Sequence, residues 1–337
     1  MPRKITLVTG ATGFIGSHLV DYLLKNSSKP IKVLVLKKHI DEIEKDNLKR
    51  LKKQKVQIVY GDIRNKKSLK KLMDGVNLVY HLAAISRPMN VDTSVYYDTN
   101  VKGTLNLLEL LKNKKIKRFV HVSTVSVLGL SPDGHPLKED EFQEEKMDYG
   151  LSKRQGEQDA LKYSKKHNIP IAVIRPCLMY GPRCEVRRIM FKYTKKGIFP
   201  LIDNGKAKME FCYVANLIQA LVEASHNKKA VGEVFNITDG QAYSIKKVLN
   251  TIADEYEVSR PKINLPYGIA KVLGICSEFA SKIAGIHPPF SRTAADWMSN
   301  DVNVYDCSKA KKILNYKPAI SLREGVRRSI EWYEKNN

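Results

Sequence analysis

The stretch Tyr149-Gly150-Leu151-Ser152-Lys153 sets a phenol and an ammonium four residues apart. On a helix that spacing puts both on one face. A cation beside a phenol favours the phenolate and lowers its pKa from about 10 by roughly one to three units, toward the range where a tyrosine exchanges protons with a substrate. A second set of oxygens, Ser123, Thr124 and Ser126, closes the apolar run that begins at Phe119. At the carboxyl edge of a parallel sheet such hydroxyls stand where open α/β folds bind ligands. Ser123 and Ser126 read more simply as satisfied strand-end hydroxyls.

A third group lies near the N-terminus. Ile5 to Val8 reads as a strand and leads directly into Thr9-Gly10-Ala11-Thr12-Gly13-Phe14-Ile15-Gly16, after which Leu19, Leu23 and Leu24 recur at helical spacing. Glycines in that setting let the chain turn tightly and bring backbone N–H groups and a helix N-terminus against a pyrophosphate. The spacing, GxxGxxG, points to a dinucleotide. An acid closing the second strand would accept the ribose hydroxyls of NAD(H), but Leu36-Lys37-Lys38-His39 stands there and the first acid is Asp41. Two ammonium groups suit a ribose phosphate, which favours NADP(H) and leaves NAD(H) as the alternative; the plainer view of Lys37 and Lys38 is a share in a general lysine excess. Asp62, in Tyr60-Gly61-Asp62, could accept a hydrogen bond from an adenine amino group; taken alone, the Gly-Asp pair reads as a turn.

The elements that must carry these groups are legible as alternation. Ile5 to Val8, Ile31 to Leu36, Val56 to Tyr60, Leu78 to Ala83, Phe119 to Ser123 and Ile171 to Ile174 are short, β-branched and almost continuously apolar, as strands buried on both faces are. Helical patterns separate them, with Leu69 and Leu72, and Leu105, Leu108 and Leu111, at helical spacing. The fold class is α/β: a Rossmann-type doubly wound parallel sheet over residues 1–176, then a smaller mixed α/β substrate lobe over 177–337, with segments near 211–240 returning to the first domain. Beyond Pro176, helices are expected over Ile189 to Lys196 and Val214 to Ser225 and from Ser244, Tyr267 and Ser321, with a strand at Val234 to Ile237.

The chain has 337 residues, 43% hydrophobic, which is enough for one large or two medium cores and excludes a disordered or fibrous class. Its five cysteines lie far apart without CxxC or Cys/His spacing, so no disulfide framework or metal site is expected and a reducing, cytoplasmic compartment fits. No signal-peptide pattern opens the chain, and no apolar run approaches a membrane span. The formal charge is +23, with 58 basic against 35 acidic residues. Its lysines fall in short clusters rather than in one basic arm or recognition helix, so nucleic acid is not the expected partner. Solvated lysine faces are the plain reading, and attraction to an anionic lipid surface or acidic partner is the alternative.

Together, the glycine triplet, the Ser/Thr-rich strand end and Tyr-x-x-x-Lys resemble the extended short-chain dehydrogenase/reductase family, also termed the NAD(P)-dependent epimerase/dehydratase superfamily. Further matches are His81-Leu82-Ala83-Ala84, Asn100-Val101-Lys102-Gly103-Thr104, Arg175-Pro176, Tyr180-Gly181-Pro182 and Phe211-Cys212-Tyr213-Val214. The resemblance implies Tyr149 as general acid/base and Lys153 as the group that holds the nicotinamide ribose and depresses the tyrosine pKa. Thr124 would hydrogen-bond the reacting oxygen, and Asn100 would be structural or part of a proton relay. It implies a cofactor surface of Gly10, Thr12, Gly13, Phe14, Ile15, Gly16, Lys37, Lys38, Asp62, Ile63, Leu82, Ala83, Ala84, Val122, Tyr149, Lys153, Pro176 and Leu178, and a homodimer paired through the helices of Asn100 and Tyr149.

Within that family, Val125-Ser126 stands where dehydratases carry an Asp-Glu pair, and Leu178 where many nucleotide-sugar members carry an asparagine. The chain is closest in character to hydroxysteroid dehydrogenase-like and dihydroflavonol reductase-like members. Its expected activity is hydride transfer between a ketone and a secondary alcohol on a hydrophobic small molecule. The alternatives are a nucleotide-sugar epimerase with retained NAD and, in another class, a cofactor-sensing or RNA-binding protein on the same scaffold. Ile269, Val272, Leu273, Cys276, Phe279, Ala280 and Ile283 form one apolar helical stripe, which reads as core, as cover for a hydrophobic substrate, or as peripheral membrane contact.

Overall fold

A computed structural model describes residues 4–37, 42–86, 92–284, 290–299 and 303–336. Its first half runs β1 (Ile5–Thr9), α1 (Phe14–Asn26), β2 (Ile31–Val35), α2 (Glu42–Lys52), β3 (Val56–Tyr60), β4 (Val76–His81), α3 (Thr93–Tyr97), α4 (Gly103–Leu111), β5 (Arg118–Val122), α5 (Asp148–His167) and β6 (Ile171–Pro176). The second half runs β7 (Leu178–Tyr180), α6 (Glu185–Lys195), β8 (Leu201–Ile202), β9 (Lys208–Tyr213), α7 (Val214–His226), β10 (Val234–Ile237), β11 (Ala242–Ser244), α8 (Ile245–Glu255), β12 (Asn264–Leu265), α9 (Tyr267–Ala284), α10 (Arg292–Ser299), α11 (Ser308–Leu314) and α12 (Leu322–Lys335).

Seven strands form one parallel sheet in the order β10-β6-β5-β4-β1-β2-β3. The order reverses beside β1, which opens a crevice at the carboxyl ends of β1 and β4, where such sheets take ligands. Leu19, Val20 and Leu23 of α1 and Leu217 and Leu221 of α7 bury on one face. Leu107, Leu108 and Leu111 of α4 and Ala160 of α5 bury on the other. Strands covered on both sides can be apolar at every position, which explains the unbroken runs in the sequence. Past β6, β11-β9-β7 form a small second sheet and β12-β8 a two-stranded one.

Two local departures bear on the site. Strand β4 stops at His81, short of the expected Ala83, because the Leu82 and Ala83 N–H groups turn to the Thr9 hydroxyl, each at 3.2 Å. Leu69 and Leu72 lie on a 3-10 helix, Lys66–Met73, started by the Asn65 side chain on Lys67 N–H. Several helix ends follow local chemistry. Ser244 caps α8 through Lys247 N–H, Ser321 caps α12 through Glu324 N–H, and Asn168 in the left-handed region ends α5.

Helix α5 is fixed to the sheet by a buried ion pair. Arg175 of β6 donates through Nε to Glu157 Oε2 at 3.0 Å and pairs through its terminal nitrogen with Oε1; both side chains are 2% exposed. Its remaining arm donates to the Glu139 carbonyl at 2.7 Å, and the Glu139 carboxylate accepts the Asn236 N–H of β10 at 3.0 Å. Removing one partner strands the other charge, so Glu157→Gln should lower unfolding stability by about 3–5 kcal/mol. The Arg175→Met/Glu157→Met pair should cost less than the two single changes summed; urea denaturation that finds strict additivity would exclude coupling.

Candidate active site

The glycine loop is built to bring backbone close. Gly10 has φ +67°, and a Cβ there would sit 2.8 Å from Ala83 N and the Leu82 carbonyl carbon. A Cβ at Gly16 would collide with the Gly10 carbonyl. Gly13 precedes α1 in extended conformation with no side chain capping the first turn. The glycines let the loop fold tightly on itself, and the uncapped first turn of α1 with the helix dipole behind it fits a pyrophosphate. Thr12 is buried, and its carbonyl accepts Asn47 Nδ2 of α2 at 2.8 Å. Phe14 and Ile15 lie half-buried against the core.

At the outer strands, Asp62 follows β3 with its carboxylate clasped by Arg64, Nε at 3.0–3.1 Å and a terminal nitrogen at 2.7 Å. Burial works to raise this carboxyl, but the Arg64 side-chain and backbone hydrogen bonds outweigh it and hold Asp62 below the usual carboxylate range. Ile63 is buried against Gly103, and its carbonyl accepts Asn106 Nδ2. Lys37 is exposed, its ammonium 5.6 Å from the centre of the Tyr60 ring. Lys38 lies outside the described residues.

Thr124, Tyr149 and Lys153 do come together. Thr124 is 8% exposed and starts a 3-10 turn, Val125–Leu128; its hydroxyl donates to Ser126 Oγ at 3.2 Å. Tyr149 sits in the first turn of α5, and Lys153 one turn on is 3% exposed with Nζ donating to the Val122 carbonyl at 2.8 Å. The electrostatics differ from the sequence expectation. Burial pushes the Tyr149 phenol up to about 12 against the pull of the Thr124 hydrogen bond, instead of a neighbouring cation drawing it down. Lys153 is itself pushed down to about 8 by burial, with Glu157 opposing. Spacing on a helix establishes adjacency but not depth, and at this depth the cost of charging each group dominates.

Asn100 lies in a π-helical turn, Asp98–Lys102, between α3 and α4. It is 1% exposed; Oδ1 accepts Ile85 N–H at 3.0 Å, and Nδ2 donates to Ser152 Oγ at 3.0 Å and to the Ile85 carbonyl at 3.2 Å. Its side-chain bonds therefore go to the Ile85 backbone and to Ser152 beside Lys153, not to the ammonium. Leu82, Ala83 and Ala84 are half-buried after β4, Pro176 closes β6, and Leu178 is half-buried on β7. Ser126 is satisfied as expected. The buried Ser123 Oγ has no hydrogen-bond partner among the described residues, a correction to its reading as a satisfied hydroxyl.

The sequence reading missed a polar chain behind these groups. Thr9 Oγ1 accepts two backbone N–H groups, so it donates to His81 Nδ1 at 2.8 Å. His81 Nε2–H then donates to Thr104 Oγ1 at 2.9 Å, and Thr104 donates to the Asn100 carbonyl at 2.8 Å. Burial, with Lys153 adding, pushes His81 down to about 3 and keeps this neutral tautomer. The His81-Leu82-Ala83 run was visible in sequence, but its partners lie on other elements.

Lys153 makes a measurable pH signature. Its folded pKa lies below the unfolded value near 10.5, so between about pH 8 and 10.5 the unfolded chain binds more protons and stability rises with pH. Below pH 8 both states are protonated and the burial cost is present in full. Relative to Lys153→Met, the unmodified protein should gain about 2–3 kcal/mol between pH 7.5 and 10.5 in urea unfolding. A flat difference across that window would contradict a buried ammonium.

Comparison with known proteins agrees with this geometry. The NAD dependent epimerase/dehydratase family matches residues 6–238. The chain is 26% identical to a UDP-glucose 4-epimerase of Vibrio cholerae, covering 100% of this chain and 97% of that protein. It is 27% identical to the 3beta-hydroxysteroid-dehydrogenase/decarboxylase isoform 2 of Arabidopsis thaliana, covering 96% and 61%. The crystal structure of a UDP-glucuronic acid 4-epimerase from Bacillus cereus in complex with NAD superposes with a TM-score of 0.79 at 28% identity, covering 98% and 99%. With its glycine cradle, its parallel sheet and a match over more than half its length, the chain belongs to the NAD-dependent epimerase/dehydratase family of extended short-chain dehydrogenase/reductase enzymes.

Proposed function

We propose that the protein is an NAD(P)(H)-dependent oxidoreductase that interconverts a ketone and a secondary alcohol on a small hydrophobic molecule. The reading is carried by Thr124, Tyr149 and Lys153 gathered at the carboxyl end of β5 without the groups that other chemistries need beside them. The two positions after Thr124 hold Val125, which is buried, and Ser126, whose hydroxyl is engaged by Thr124. Neither can protonate a leaving hydroxyl, which speaks against dehydration. Leu178, two residues after Pro176, offers an apolar side chain where a nucleotide-sugar substrate would need a hydrogen bond.

A bound nicotinamide supplies or accepts the hydride. Gly10, Gly13 and Gly16 admit the pyrophosphate, and Ala83, Ala84, Pro176 and Leu178 line the apolar side of the cofactor surface. Thr124 and Tyr149 hydrogen-bond the carbonyl oxygen of the substrate. As the carbonyl carbon becomes tetrahedral, its oxygen takes the Tyr149 proton and leaves a phenolate, which the Lys153 ammonium one turn away stabilises. The raised phenol keeps its proton at neutral pH, the form that donates.

Tyr149→Phe should lower turnover at least about a hundredfold with cofactor binding unchanged. Undiminished turnover of that variant on an identified substrate would remove Tyr149 from the mechanism.

For the cofactor, we favour NADP(H) on the exposed Lys37, two residues past the end of β2, where an acid would select NAD(H). Lys37→Asp should shift the NADPH to NADH ratio of kcat/KM at least about tenfold toward NADH. An unchanged ratio would leave Lys37 as one more surface lysine.

A nucleotide-sugar epimerase with retained NAD is the second reading, favoured by the 28% identity with the Bacillus cereus enzyme over nearly the whole chain. Stoichiometric NAD released on denaturation, with thermal stabilisation by a UDP-sugar, would select it. Subunit pairing through the elements of Asn100 and Tyr149 belongs to the proposal, and sedimentation equilibrium tests it.

A further inference from the structure

Helix α9 stands over a small core of its own, in which Ile202, Ala270 and Ala295 are fully buried. Gly274 brings it against the start of α10, where a Cβ would meet the Arg292 backbone nitrogen at 2.5 Å. The opposite side of the helix faces water. Ile269, Val272, Leu273, Ile275 and Phe279 are 47–68% exposed there. Gly268, Cys276 and Ala280 are exposed between them, so at about 100° per residue the uncharged face spans an arc of about 160°. Single exposed apolar residues are ordinary, but a contiguous apolar helix face is not.

Lys271 and Glu278 of α9 lie off this face and are engaged. Lys271 donates to the Tyr267 hydroxyl at 2.8 Å and lies 3.5 Å from Asp296, while Glu278 accepts the Arg292 N–H at 2.9 Å.

We propose that this face of α9 docks on an anionic bilayer surface. Two observations select lipid over other occupants. The first is charge: on a chain of +23, Arg260, Lys271 and Arg292 are paired with Asp254, Asp296 and Glu278 beside the helix, while Lys262, exposed just before it, and Lys282, near its end in the sequence, add cations beyond those pairs. Cations flanking an apolar helix face are what an interfacial helix needs, the apolar side chains entering the headgroup boundary while the cations attract anionic lipid.

The second is size and shape. One convex helix face about 10 Å across, running about 15 Å from Ile269 to Phe279, falls well short of the roughly 800 Å² per partner that a stable protein interface buries. A membrane asks for no complementary groove. No helix among the described residues is long and apolar enough to cross a bilayer, so α9 would lie in the surface.

Flotation of the full chain with vesicles tests this independently of any reaction. Phosphatidylcholine vesicles containing about 30% phosphatidylserine should carry the protein at least about tenfold better than phosphatidylcholine alone, and high salt should weaken the binding. Val272→Ser/Phe279→Ser should lose at least about tenfold of it while retaining NAD(H) binding. Phe279→Trp should add blue-shifted emission that brominated acyl chains quench.

Several results would overturn the proposal: no flotation with either vesicle, equal flotation of the double variant, or added indole emission in Phe279→Trp that brominated chains leave unquenched. So would self-association of vesicle-free protein that the double variant abolishes, which would assign the face to a second copy. Loss of turnover in the double variant with undiminished flotation would assign it to substrate instead.

Discussion

A single run of hydrogen bonds joins the glycine loop to the helix that carries Tyr149. It passes from the Thr9 hydroxyl through His81 and Thr104 to the Asn100 carbonyl. The Asn100 amide then donates to Ser152, whose hydroxyl donates to the Tyr149 carbonyl at 2.9 Å. The links cross from element to element, so β1, β4, the π-helical turn and α5 cannot shift separately without orphaning a buried polar group. The glycine loop and the Tyr149 turn of α5 are thus parts of one rigid frame. The Glu157–Arg175 pair anchors the same helix two turns further on, against β6.

Burial sets the charge behaviour of that frame. Tyr149 is held as a phenol, Lys153 titrates near 8, and His81 stays neutral far into acid. The shared direction is toward the uncharged form of each group. A site so placed makes bringing charge in from outside energetically consequential, because few mobile dipoles remain to screen it.

The frame was only half legible in the sequence. Strands β3 and β10 have the boundaries read from their apolar runs, and Ser244 and Ser321 stand at the helix starts expected of them. Periodicity and capping are local properties, and local properties survive without coordinates. Tyr149 and Lys153 share a helix face for the same reason. The partners of Asn100 and His81 were not legible, since Ser152, Thr9 and Thr104 lie 23 to 72 residues away and only the sheet order brings them close. Asn47 reaching the Thr12 carbonyl has no sequence signature at all. Glu157 stood in view four residues after Lys153, but a carboxylate on a helix looks solvated until Arg175 is seen across from it. The direction of the Tyr149 shift was missed because burial depth is a property of the assembled layers.

Strand β10 completes the sheet from far along the chain, pairing in parallel with β6 from Val234 to Ile237. During synthesis, β6 therefore emerges long before its outer neighbour. Until residues 234–237 have been made, Ile171 to Ile174, fully buried in the finished protein, border an open edge with unpaired N–H and C=O groups. That edge also carries Arg175, whose carboxylate partner is already present on α5 while the Glu139–Asn236 bond behind it is not. A nascent or truncated chain that stops within the intervening segment exposes a template for strand addition next to the sheet that α5 covers. The order in which the ribosome delivers the strands thus makes this stretch the period of greatest risk for misassembly.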